Sequence, residues 1–507
     1  MLETVRTFED LEQLIKNNYM KPDLELVERA YRLAEKAHQG EIRFSGHPFI
    51  THPLAVAYKL AEMGFHTNMV VAGLLHDVVE DTEVTLDDIK KEFGDDVAGL
   101  VEGVTKLKKI KYQGVERYVE NMRRMFMAMA SDVRVIFIKF ADRLHNLQTL
   151  YARPGHKQER IARETLEIYA PIANRLGMGE IKGELEDLAF KYLFPKEYDW
   201  MVQIMETKVR EKGAQISRLI DRASKVLGEA KIETNQIHGR VKRLYSLYKK
   251  LQRYNNDLAK IHDLVAVRVI VKDVEDCYAA LGLVHQEWHP VPNRIKDYIA
   301  QPKPNGYRSL HTTVFCGDGE TAEFQIRTEE MHEFAEYGIA AHWRYKETGF
   351  SPPKNLRWME EMVVIQKALE DKKDFFEQME VLKIDVFKDH IFVFTPQGDV
   401  IDLPEGATPV DFAYAVHTDV GHKCVAAKVN DQLVNLDSTL NSNDVVEIIT
   451  DKNRRGPNPD WLKFVKTNHA RELVREAAKK NMRSWLSAMI SKPANPAKKE
   501  KKGKKTK

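Results

Sequence analysis

The sequence predicts a multidomain protein: an all-α domain, then a mixed α/β domain, then a small α+β unit. Three observations carry this. Apolar residues recur at helical spacing up to about Pro195 and through the long stretch Asp199 to Ala230. Near Leu264 the pattern changes to β-branched runs. With 507 residues, the chain is long enough for about three domains of ~150 residues each. A composition of 43% hydrophobic and 30% charged residues supplies several cores and excludes a disordered or collagen-like chain.

In the helical part, Leu54, Val56, Ala57, Leu60, Ala61 and Met63 form one apolar stripe, and Ile161, Leu166, Ile168 and Ile172 another. The first domain is expected over residues 1–195. The α/β domain follows over 196–346, with a helical lead-in and strands at Leu264–Val271, His311–Phe315 and Ala322–Ile326. Ser351-Pro352-Pro353 breaks the chain, and a charged helical linker is expected over 347–383. The third unit, 384–449, alternates short strands (Ile391–Thr395, Val400–Leu403, Val425–Val429, Val445–Ile449) with turns and one helix, Pro409–Val416. That content predicts a small β-grasp fold. Residues 450–507 read as a short helical segment and a disordered lysine-rich tail.

The last ten residues hold seven lysines and one glutamate, so the remainder is slightly acidic despite a net charge of +2. A globally basic nucleic-acid binder is therefore excluded. There is no apolar run of ~18 residues and no basic start followed by an apolar stretch. The three cysteines, Cys277, Cys316 and Cys424, are too scattered for a disulfide framework or a zinc ribbon. A reduced, cytoplasmic setting without membrane contact is the expectation.

Two groups of residues carry chemistry. In the helical domain, His52, the adjacent pair His76-Asp77, and Asp142 each sit in an apolar helical setting. Burying such groups costs several kcal/mol unless they are paired or ligated. Two imidazoles and two carboxylates suit Mn, Fe or Zn better than Mg or Ca. Such an ion lowers the pKa of bound water from 15.7 toward ~7, worth up to ~12 kcal/mol of nucleophile availability. Glu80 and Asp81, one turn past the pair, are placed to position or deprotonate that water. His145 reads as a supporting or core residue. Arg43 is read evenly as a phosphate contact or a solvated loop charge.

In the α/β domain, Gly239-Arg240-Val241-Lys242-Arg243 is expected to open a helix carrying Ser246, Lys249 and Lys250. Cations at a helix start suit triphosphate. Asp263 before one strand and Glu323 within another suggest Mg²⁺ held against phosphates. Arg294 to His311 is the densest stretch; Lys296, Lys303 and His311 offer phosphate contacts there, and Tyr307 a stacking surface worth ~1–3 kcal/mol.

On these motifs the sequence resembles the RelA/SpoT alarmone proteins across about residues 20–470. Leu74 to Thr82 and Ala141 to Asn146 match the intact hydrolase motifs. Lys296-Asp297-Tyr298-Ile299, Ser309 to Val314 and Gln325 to Thr328 resemble the synthetase, and Ala335 to Trp343 is close to a family signature. The resemblance implies an HD-type hydrolase domain, a nucleotidyltransferase-like synthetase domain and a TGS domain. It implies transfer of pyrophosphate from ATP to the 3′-hydroxyl of GDP or GTP, and Mn²⁺-dependent removal of that pyrophosphate from (p)ppGpp. Carried over by motif, His52, His76, Asp77 and Asp142 hold Mn²⁺; Glu80 and Asp81 serve hydrolysis; Arg43 and Asn146 contact the alarmone. Asp263 and Glu323 hold Mg²⁺, with Glu323 activating the 3′-hydroxyl. Arg240, Lys242 and Lys250 face ATP; Lys296, Lys303, Asn305, Tyr307 and His311 face GDP or GTP. His417 matches a tRNA-contact position, read evenly against a polar helix end, and uncharged tRNA and the ribosome are the implied partners. Phe44 and His47 depart from the family's usual lysine and glutamate. A hydrolase-only enzyme and a non-enzymatic tRNA- or ribosome-binding sensor are the alternatives.

Overall fold

A computed structural model describes residues 5–19, 22–108, 124–341 and 390–477, apart from short interruptions at 126, 130, 258–264, 304, 318–319, 442–443, 455 and 468. Asp263, the linker over 347–383 and the lysine-rich tail lie outside the described residues. The chain divides into two compact units, Met1–Phe376 and Glu377–Lys507. Among the described residues no helix is long and apolar enough to cross a membrane.

The first unit opens with helices α1 (Phe8–Asn18), α2 (Leu24–Ala37), α3 (Thr51–Glu62), α4 (Thr67–Leu75), the one-turn α5 (Val78–Asp81), α6 (Leu86–Lys108) and α7 (Arg134–Gln148). Every residue of α4 from Met69 to Leu75 is buried. Gly73 faces α3: a Cβ there would meet Leu60 Cδ1 at 2.6 Å and the Ala57 Cα at 3.4 Å. Glycine is what lets α3 and α4 approach so closely. The His76-Asp77 pair, expected inside an apolar helix, instead sits at the break between α4 and α5, where His76 closes one helix and Asp77 opens the next.

Helices α8 (Gly155–Glu164), α9 (Ala170–Arg175), α10 (Gly179–Leu193) and the 35-residue α11 (Pro195–Glu229) lead into a sheet. That sheet comprises β1 (Thr234–Val241), β2 (Val265–Val271), β3 (Pro290–Asp297), β4 (Leu310–Phe315) and β5 (Thr321–Thr328), in the order β1-β2-β5-β4-β3. Only β2 and β5 run parallel. One face packs Val267, Val269, Phe324 and Ile326 against Leu219 and Ala223 of α11 and Ala280 and Val284 of α13 (Val274–Glu287), which follows α12 (Leu244–Arg253). Strand alternation leaves Arg268, Glu323, Gln325, Arg327 and His311 for the opposite face.

The strands differ from expectation in two places. Gly239-Arg240-Val241 does not start a helix but ends β1, paired with Val267, Ala266 and Val265. Its alternation with the β-branched β2 overrides the glycine as a helix signal; the helix begins only at Leu244. Arg294 to Asp297 lies in β3, with Lys296 opposite His311.

A glycine joint ties the sheet domain to the helices. Gly338, at the end of α14 (Glu329–Tyr337), has φ 59°, and a Cβ there would collide with the Leu176 carbonyl. Ile339 N–H donates to that carbonyl at 3.0 Å. Asn305 Nδ2 donates to the Asn174 carbonyl at 3.1 Å.

The second unit holds β6 (His390–Phe394), β7 (Val400–Pro404), α15 (Pro409–Val416), α16 (Thr418–Lys423), β8 (Cys424–Val429), β9 (Gln432–Val434) and β10 (Val446–Thr450). The short β9 and α16 carry too few apolar residues to be seen in the sequence pattern. Buried Asp411 accepts bonds from Thr408 N–H, Lys466 N–H and Thr467 N–H, fastening α15 to the chain beyond β10.

Gly73→Leu is expected to overpack the α3–α4 contact and cost ~1–3 kcal/mol, read as a lower thermal midpoint. Unchanged stability would show that the helices can separate freely.

Candidate functional site

His52 lies in the first turn of α3, His76-Asp77 at the α4–α5 break, and Asp142 on α7. All four are at most 4% exposed. One donor atom each from His52, His76 and Asp142 lies within 4.8 Å of the others. His52 Nε2 stands 3.5 Å from Asp77 Oδ2 and 3.3 Å from Asp142 Oδ1. His76 Nε2 stands 3.1 Å from Asp77 Oδ1.

The tautomers follow from the surrounding hydrogen bonds. His76 Nδ1 donates to the Gly73 carbonyl at 2.8 Å, which leaves Nε2 as a lone pair. That buried Nε2 has no hydrogen-bond partner among the described residues. An orphaned acceptor beside two carboxylates is the arrangement a cation would satisfy. His52 Nδ1 meets His145 Nδ1 at 2.9 Å, so one of the two must donate. With His52 Nε2 directed at the carboxylates as a donor atom for a cation, its Nδ1–H donates to His145. His145 thus lies in direct contact with a residue of the cluster.

The electrostatics agree. Burial lowers the His52 pKa to about 4 and that of His145 to about 2, so both rings are neutral at pH 7. Burial works against ionised Asp142, yet the Lys139 ammonium beside it holds it well below the usual carboxylate range. Asn146 Nδ2 also donates to Asp142 Oδ1, and Arg43 donates to Asn146 Oδ1 at 2.9 Å. A cleft of about 280 Å³ opens onto the cluster, lined among others by Arg43, Phe44, His52, Asp77, Asp81, Asp142, Asn146 and Arg153. Asp81 thus faces the cleft; Glu80 is half-buried and, like His76, is not in its lining.

On the polar face of the sheet, a second set is joined by hydrogen bonds. Glu323 Oε1 accepts from Gln325 Nε2 at 2.7 Å and stands 3.2 Å from His311 Nδ1. Gln325 Oε1 accepts from Arg240 at 3.1 Å. His311 Nε2 meets the Tyr307 hydroxyl at 2.8 Å. Lys303 Nζ sits 4.6 Å from the Tyr298 ring centre and 5.0 Å from that of Tyr307. Asn305 Oδ1 accepts from Tyr307 N–H at 3.2 Å. Arg240, Glu323, His311, Tyr307, Lys303 and Asn305 are thus brought together, with exposed Lys296 opposite His311. Lys242 follows β1, and Lys250 lies in the last turn of α12.

Residues 30–179 match the HD domain family, 239–349 the region found in RelA/SpoT proteins, and 391–450 the TGS domain. Over 477 residues the chain is 46% identical to the bifunctional (p)ppGpp synthase/hydrolase SpoT of Escherichia coli K12, covering 93% of this chain and 67% of that one. The chain belongs to the RelA/SpoT family. A guanosine-3′,5′-bis(diphosphate) 3′-pyrophosphohydrolase of Aquifex aeolicus is 45% identical over 478 residues, covering 94% of this chain and 67% of its own. A GTP pyrophosphokinase of Streptomyces coelicolor is 48% identical over 490 residues, covering 92% of this chain and 57% of its own. The chain spans only 55% to 61% of the length of the first four curated relatives.

In the TGS domain, His417 is exposed and sits between α15 and α16, where its Nδ1 accepts from Asp419 N–H at 3.1 Å. The helix-end reading describes its position; no contact in the structure bears on tRNA.

Sequence reasoning missed several members of this RelA/SpoT chain's polar face. Gln325 bridges Arg240 to Glu323, and Glu336 is shared by Arg268 at 3.0 Å and Arg327 at 2.9 Å. The signal was present: Glu323, Gln325 and Arg327 alternate along β5, and Arg268 interrupts an apolar β2. Burial and the neighbouring Arg327 lower the Arg268 pKa to about 10.

Because His52 and His145 are neutral when folded and protonate more readily when unfolded, acid favours unfolding. Chelator-treated protein is expected to lose stability as pH falls from about 6.5 toward about 4. Thermal midpoints measured across that range check this, and His145→Gln should flatten the slope.

Proposed function

We propose that this chain is a bifunctional alarmone enzyme. One site removes pyrophosphate from the 3′ position of (p)ppGpp, and the other transfers pyrophosphate from ATP to the 3′-hydroxyl of GDP or GTP. The observation that carries it is the coexistence of two assembled polar centres on one chain: the buried His52–His76–Asp77–Asp142 cluster, and the Arg240–Gln325–Glu323–His311 chain on the sheet.

At the first centre, the donor set and the orphaned His76 Nε2 fit a divalent cation held by His52, His76, Asp77 and Asp142. We take that ion as Mn²⁺, from the mixture of imidazole and carboxylate donors. When bound, it would supply a low-pKa water and polarise the phosphate. The chain's own residues do the rest. Arg43, steered by Asn146, directs its guanidinium into the cleft for the substrate's phosphates. The Asp81 carboxylate, at the cleft wall, takes the proton released in hydrolysis, and Glu80 supports it.

At the second centre, a Glu323 carboxylate oxygen accepts the 3′-hydroxyl proton. Gln325 and His311 fix its orientation. Arg240, Lys242 and Lys250 meet the ATP phosphates, and Lys296, Lys303, Asn305, Tyr307 and His311 seat the guanine nucleotide. Of the proposed Mg²⁺ pair, Glu323 is described and Asp263 is not; the ion would neutralise charge on the transferred group. We place the enzyme in the cytoplasm, with uncharged tRNA and the ribosome as partners of the TGS domain through His417.

His76→Ala is expected to lower (p)ppGpp hydrolysis at least ~100-fold while synthesis persists, and Glu323→Gln to do the reverse. Both are read from labelled nucleotide, with Mn²⁺ for breakdown and with ATP, GDP and Mg²⁺ for synthesis. Wild-type protein that makes no tetraphosphate would reduce the proposal to the hydrolase alone.

A further inference from the structure

Lys139 is a charge in apolar surroundings. It lies on α7 among Ile136, Phe137, Ile138 and Phe140, all fully buried, and is itself 6% exposed. Its ammonium bonds to Asp142 Oδ2, and among the described residues that is its one hydrogen-bond and ion-pair partner. The other oxygen of the same carboxylate, Oδ1, faces His52 at 3.3 Å.

Two ordinary explanations fail. Lys139 is not in the lining of the cleft, so it is not placed to meet a substrate phosphate. Nor is a buried ion pair a good source of stability: apolar residues of similar volume commonly serve as well or better. What a buried lysine does accomplish is charge balance. Asp77 and Asp142 are both at most 4% exposed and share one cluster, and a buried carboxylate left without its cation is strongly unfavourable.

We propose that Lys139 is the resident counter-cation of the metal-free cluster, neutralising Asp142 and holding its Oδ1 toward His52 until a divalent ion arrives. This rests on reading the cluster as a metal site. It has a definite sign. Lys139 stabilises the empty site and repels the incoming ion, so it holds metal affinity down and keeps the ion exchangeable. Removing the ammonium alone should destabilise the empty protein and tighten metal binding.

The test uses the full chain, stripped with chelator and titrated with Mn²⁺ alone, bound ion being read from loss of the free-ion paramagnetic resonance signal. Lys139→Met keeps the length of the side chain without its charge. We expect it to melt at lower temperature when metal-free and to bind Mn²⁺ about tenfold more tightly or better. The double variant Lys139→Met/Asp142→Asn should recover metal-free stability relative to Lys139→Met, because the uncompensated carboxylate is gone. Should Lys139→Met not fold, Lys139→Gln carries the same expectation. Mn²⁺ affinity that is unchanged or weakened in the single variant overturns the proposal. Wild-type protein that binds no Mn²⁺ overturns the metal reading itself, so the two failures are distinct.

Discussion

The first unit depends on bringing two imidazoles and two carboxylates to one buried point. None of these groups tolerates that position alone, because each loses water on burial. The fold makes it affordable by giving partners to many of their atoms. His145 takes the second nitrogen of His52, the Gly73 carbonyl takes that of His76, and Lys139 and Asn146 take the oxygens of Asp142. Gly73 serves twice, since its missing side chain admits α3 against α4 and its carbonyl orients His76. The buried His76 Nε2 has no hydrogen-bond partner among the described residues, and the proposed cation would bind there.

The second centre solves a similar problem on one face of a sheet, with Arg268, Gln325 and Arg327 buried. One sheet face is apolar and packs against α11 and α13; the other collects Arg240, Arg268, Glu323, Gln325 and Arg327. Period-two alternation separates core from chemistry without any further device. The two centres share a backbone joint: Asn305, beside Tyr307 and His311, also bonds the Asn174 carbonyl at the end of α9. A residue proposed to seat a nucleotide is thus fastened to the helices that follow the His52–Asp142 cluster.

Much of this was legible in the sequence. The strand Val265–Val271 followed from a β-branched run, the strand expected at Ala322–Ile326 lies within Thr321–Thr328, and the long α11 followed from helical spacing. The metal-site candidates were visible because His and Asp are costly in apolar surroundings. What escaped notice depended on neighbours distant in the chain. Gly239 looked like a helix start because the strand it pairs with lies some 28 residues away at Val267. Lys139 and Gln325 escaped for another reason: Asp142 and Glu323 lie close by in the chain, but only the fold buries Lys139 against Asp142 and brings Arg240 to Gln325. The break between α4 and α5 was hidden because the residues on both sides are apolar.

The central claim is that His52 and His76 together bind one divalent ion. Pulsed paramagnetic resonance on the protein loaded with one equivalent of Mn²⁺ tests it most directly. The account predicts coupling to two imidazole nitrogens, reduced to one in His52→Gln and in His76→Gln. A spectrum with no nitrogen coupling, unchanged in both variants, would contradict it.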